Sequence, residues 1–137
     1  MAVGKSVNVA AGDTILAVHH NFLREDSIKE VKNKTANYIV SITEDYNDLI
    51  TNLGASGDIE ISLPSCEVDA AINVLVAADG KALKIQPASG DTIEWVDGSI
   101  TSSEFLESSD IGSTVKLIGL DNDKWLATII GTWTETT

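Results

Sequence analysis

Two adjacent histidines, one cysteine and a few neighbouring carboxylates are the residues of this chain with chemistry to offer. His19-His20 suggests a metal. Adjacent residues on a helix point about 100° apart, so the two rings do not converge on one ion. No second ligand pair follows at zinc-like spacing. Asp121-Asn122-Asp123 has the oxygens of a calcium loop, without that motif's glycine or its distal glutamate. Aspartate and asparagine also form turns on their own account, which is the reading taken here. Cys66 is the single cysteine, so no internal disulfide exists, and no histidine lies near it in sequence. It reads as a small buried hydrophobe.

The close carboxylates, Glu44/Asp45 and Asp58/Glu60, fall in a polar turn and on a solvent-facing strand edge. Nothing there suggests the burial that would raise one pKa for acid–base work. No serine sits in a Gly-x-Ser-x-Gly setting. Gly54-Ala55-Ser56-Gly57 lacks a lysine and leads into a strand, so it is no phosphate loop. The expectation is a protein with no catalytic, cofactor or metal site. Trp95, Trp125 and Trp133 stand out in a chain only 5% aromatic. They read as anchors of an oligomer interface, with a sugar-stacking surface as the alternative.

The elements that carry these residues are mostly strands. Val7 and Val9 alternate in an extended segment that ends at Gly12. Asp13 or Thr14 can cap a helix from Thr14 to about Glu25, because Ile15, Val18, His19 and Phe22 recur at helical spacing. After Ser27 the period becomes two. Tyr38, Val40 and Ile42 alternate, 43–48 is a turn, and 49–53 is a strand. Ile59, Ile61 and Leu63 share one face until Pro64. A buried strand over 74–77 returns through a hairpin at Asp79-Gly80 into Leu83 and Ile85. Ile93 and Trp95 alternate before Asp97-Gly98. Residues 99–113 read as a surface loop with a small apolar patch at Phe105-Leu106. Strands at 115–120 and 125–130 flank a hairpin loop at 121–124. Six to nine short strands argue a mainly β fold, a small sandwich or partly closed barrel with a short N-terminal helix. No repeat of fixed period is visible.

Length and charge set the remaining bounds. At 137 residues there is room for one core. No apolar run reaches the ~20 residues of a membrane span. The first residues lack the apolar core of a cleaved signal, which points to synthesis in a cytoplasm. Net charge is −12. Residues 1–34 hold five cations against four acids, whereas 35–137 hold four lysines against 17 acids. An acidic body repels nucleic acid and anionic membranes. The chain divides into a docking arm, 1–32, and an all-β body, 33–137. Ile15, Val18, Phe22, Lys29 and Lys32 in the arm, with Lys34 just beyond it, are the expected partner-binding residues.

Several stretches carry a resemblance. Lys34-Thr35-Ala36-Asn37-Tyr38-Ile39-Val40, then Thr51-Asn52-Leu53-Gly54-Ala55-Ser56-Gly57 leading into Ile59-Glu60-Ile61-Ser62-Leu63-Pro64, resembles a β module of tailed-bacteriophage virion proteins. Val74-Leu75-Val76, Leu83 to Ile93, Gly112 to Leu117, Lys124-Trp125 and Gly131-Thr132-Trp133 agree with it. The likeness spans about residues 33–133. Residues 66–72 and the glycine-free turn around Tyr46 depart from the pattern. The resemblance implies a non-enzymatic virion protein, commonly a homotrimer. The short chain fits a capsid decoration or cement protein bound to the major capsid protein on the outer surface of the head. A tail fibre or spike component that binds a host glycan or receptor is the alternative.

Overall fold

A computed structural model describes residues 28–137, and all of the described secondary structure is β. The helix expected over 14–25, with Ile15, Val18, Phe22 and His19-His20, lies outside the described residues.

Twelve strands form two sheets that pack as a sandwich. The strands are β1 (Val31–Asn33), β2 (Tyr38–Ile39), β3 (Leu49–Thr51), β4 (Ile59–Ser62), β5 (Ala71–Leu75) and β6 (Leu83–Gln86), followed by β7 (Thr92–Trp95), β8 (Gly98–Thr101), β9 (Phe105–Ser108), β10 (Thr114–Gly119), β11 (Lys124–Ile130) and β12 (Thr134–Thr136). The larger sheet runs β1-β3-β5-β10-β11-β7-β8 and the smaller β12-β9-β6-β4-β2.

The first six strands alternate between the sheets, odd strands in the larger and even strands in the smaller. All neighbours within this half are parallel. The chain therefore winds as a flattened coil, each turn laying one strand on each sheet. Val31 sits beside Leu49 and Leu49 beside Asn73, whereas Ile59 sits beside Leu83. Those offsets are 18, 24 and 24 residues, so the repeat is architectural and leaves no fixed sequence period. The coil also corrects the hairpin expected at Asp79-Gly80. Gly80 does turn, with φ +69°, but the turn carries the chain from β5 across to β6 in the other sheet. Buried Asn52 holds that crossing by accepting from the Ala77 and Ala78 amides at 2.7 and 3.0 Å and donating to the Lys81 carbonyl at 3.2 Å.

The second half closes the sandwich with antiparallel pairs and one parallel pair, β7 beside β11. β7–β8 and β10–β11 are hairpins, β9 packs on β6, and β10 joins β5. Residues 99–113 are thus not a surface loop. They contribute β8 and β9, and Leu106 is fully buried. The polar residues that suggested a loop, such as Ser99, Thr101 and Glu107, are the outward positions of half-buried strands.

Period-two patterning puts the core where the sheets face each other. In the smaller sheet Ile61, Ile85 and Leu106 stand in register, each fully buried. In the larger, Trp125, Ile93 and Ile100 form a similar row. Burying side chains of this size is worth about 1.5–3 kcal/mol each. Residues 31 and 32, assigned by sequence to an arm, belong to β1 and hence to the body.

Candidate functional site

Among the described residues, a group of charged side chains meets at the first coil. β1 presents Lys32 to the turn at 41–48. Its ammonium meets Asp45 Oδ1 at 2.6 Å, Asp48 Oδ2 at 2.9 Å and the Glu44 carbonyl at 3.1 Å. Asp45 Oδ1 and the Glu44 carbonyl accept hydrogen bonds from it, whereas Asp48 Oδ2 is held by charge. Asp45 is fully buried and accepts also from the Tyr38 hydroxyl at 2.8 Å and the Ser41 amide at 2.8 Å. Burial alone would raise the Asp45 pKa, but Lys32, the Ser41 amide and Tyr38 outweigh it and hold the carboxyl below its ordinary value. The bond to Asp45, then the close carboxylate of Asp48, raises Lys32 above the usual lysine range. Burial, then the bond to Asp45, pushes Tyr38 up to about 12. Asp48 is fully buried and held by charge, with Lys29 3.9 Å away on its other oxygen.

This group is a structural staple. The ammonium fills the position a metal ion would take between two carboxylates. No cluster of metal-ligating side chains occurs among the described residues. The arrangement also revises the role expected for the lysines. Lys32 is consumed inside the molecule, because leaving two buried carboxylates without a counter-charge would be costly. Lys34 lies 3.8 Å from the centre of the Tyr38 ring. Lys29 keeps about half of its side chain exposed. The carboxylates singled out by sequence serve the backbone in the same way. Asp58 accepts from the Ala82 amide at 2.8 Å, and Asn122 donates its amide to Asp121 at 2.7 Å within the expected turn.

Cys66 is buried, as expected. Burial, reinforced by the negative charge of Asp91, pushes the thiol up to about 11. Its sulfur points at the Lys124 carbonyl 3.3 Å away. A protonated thiol in that setting is a poor nucleophile.

The remaining candidate is a surface, the outward face of the larger sheet. Two shallow grooves cross it. One, of about 430 Å³, is lined by Glu94, Trp95, Val96, Leu126, Thr128 and Ile129. The other, of about 400 Å³, runs between Ile28, Leu49, Asn73, Thr114, Lys116 and Ile130. Ile130 is 66% exposed and Val96 94%.

The three tryptophans fall in different places. Trp95 is partly buried against the core and lines the first groove. Trp133 is also partly buried, with its indole donating to the Thr114 carbonyl at 3.0 Å. Trp125 is fully buried, so its side chain is part of the core. The outward residues Leu126 and Ile130 escaped the sequence reading. Their signal was present, since residues 125–130 are apolar on both faces of the strand, a pattern of strands covered on both sides.

No protein-family model matches the chain, and no curated protein matches it.

Proposed function

We propose that this is a non-enzymatic virion structural protein, a decoration or cement protein that binds the major capsid protein on the outside of a bacteriophage head. It acts as a homotrimer, is made in the bacterial cytoplasm and adds buried area at seams between capsid subunits. Three linked contacts multiply modest affinities. One observation carries the reading: a rigid β body whose larger sheet turns apolar side chains outward at Leu126 and Ile130. Such a face is suited to joining copies of the chain in the oligomer. The resemblance of residues 33–133 to phage β modules supplies the setting.

The test is a count of copies per purified particle. Hundreds support a cement protein. A handful supports the tail fibre or spike reading, which the groove holding Trp95 beside Glu94 favours, since sugars stack on aromatic rings and hydrogen-bond to carboxylates. Absence from particles overturns both.

A further inference from the structure

Strand register fixes which residues share the outward face of the larger sheet. Val31, Leu49, Asn73, Lys116 and Thr128 form one row across five strands. Asn33, Thr51, Leu75, Thr114 and Ile130 form the next. Ala71, Ile118, Leu126, Glu94 and Ser99 form a third. Lys124, Thr92 and Thr101 complete the face. Its charged residues are Lys116, Lys124 and Glu94, net +1, on a protein of net −12. Glu94 is already paired with Lys124 at 3.4 Å. The other acids among the described residues lie elsewhere, mostly in the connections.

We propose that this face is the self-association surface, and that its occupant is a second copy of the same chain. The inference rests on the homo-oligomer in the function proposed above and names its surface. Two bodies of charge −12 repel each other over most approaches. Contact through this face buries the apolar members of its mixed rows, such as Val31, Ile118, Leu126 and Ile130, where little net charge opposes it, and keeps the acidic connections at the rim. The dimensions allow it. Seven strands about 4.8 Å apart, three to seven residues long at about 3.4 Å per residue, give roughly 500 Å² of face. Two copies together would bury roughly 1,000 Å², the lower bound for a specific interface. Val96, 94% exposed, and Leu126 stand together along a groove there.

The experiment is sedimentation of the full chain at micromolar concentration, in low and high salt, alongside Ile130→Glu, Leu126→Glu and the control Ile39→Glu. Ile39 is 77% exposed on the smaller sheet, away from the face. The wild type and the control should be oligomers that tighten as salt screens the acidic bodies. Each face variant should weaken association at least about 30-fold, the loss expected at an interface hot spot, while its far-ultraviolet spectrum stays that of the folded wild type. A wild type that is monomeric even at high salt overturns the proposal and assigns the face to the chain preceding Ile28 or to another protein. An oligomer that survives Ile130→Glu and Leu126→Glu overturns it equally. Copy number on particles is independent of these outcomes, so either reading can fail alone.

Discussion

Gly119 rests against the backbone carbonyl of Glu67, and a Cβ on Gly119 would overlap that oxygen. The close approach is held from both sides. The Gly119 amide donates to the Ala70 carbonyl at 2.8 Å, and its own carbonyl accepts from the Asp69 amide at 3.0 Å. The end of β10 is thereby clamped to the connection that enters β5. Gly119→Ala cannot be absorbed by a side-chain rotation, since the obstacle is main chain. It should cost about 3 kcal/mol, read as a lower denaturation midpoint with an unchanged slope. Asp79→Ala, exposed in the turn before β6, should change stability by less than about 0.5 kcal/mol and serves as the reference.

Lys32→Met should lower the melting temperature at neutral pH, because Asp45 and Asp48 lose their shared counter-charge. The sign of the pH dependence follows from Asp45. Its folded pKa is depressed, so its contribution is present above the unfolded carboxylate pKa of about 3.9 and is lost as pH falls through the lower folded value. The raised Lys32 pKa acts at the other end, contributing below the unfolded lysine pKa of about 10.4 and fading only in strong alkali. Thermal melts between pH 7 and pH 3 should therefore converge for wild type and Lys32→Met as acid is approached. A gap that stays constant would show that Lys32 acts through packing alone.

Cys66 should resist thiol reagents in the native protein at pH 8 and react fully in denaturant. The thiol, at about 11, is almost wholly protonated there, and the group is buried. Labelling followed by intact mass measures the ratio. Rapid native labelling would mean that the 64–70 connection opens readily.

Trp125→Ala should cost about 3–5 kcal/mol, the range for emptying an aromatic core site. Trp133→Phe should cost only about 1 kcal/mol, for the single hydrogen bond to Thr114. Chemical denaturation of the two variants separates a core tryptophan from one at the margin.

Much of the β body was legible in the sequence. Ile59, Ile61 and Leu63 alternate cleanly, and β4 follows them. The hairpin at 121–124 joins two strands whose register runs from Gly119 opposite Trp125 to Thr114 opposite Ile130. What failed was long-range. Asp79-Gly80 has the composition of a hairpin turn, and composition specifies local backbone shape without saying which sheet the next strand joins. The side-chain clamp from Asn52 decides that, 25 residues earlier than Ala77. Lys32 looked available because three lysines share a short, near-neutral segment. Its partners at 45 and 48 become neighbours only once β1 lies parallel to β3. Trp125 and Trp95 are indistinguishable by type and share the inward phase, and Trp95 is only partly buried because it stands at the end of β7 while Trp125 lies between two neighbouring strands.

The alternating winding also sets an order on synthesis. When the ribosome has delivered β1 to β6, neither sheet is finished, because β5 awaits β10 and β6 awaits β9. Two strand edges, rich in valine, isoleucine and leucine, stay open until residues 105–119 emerge from the exit tunnel. A chain stalled or cleaved near residue 100 would carry both edges unpaired and should be a strong substrate for holdase chaperones or a seed for aggregation.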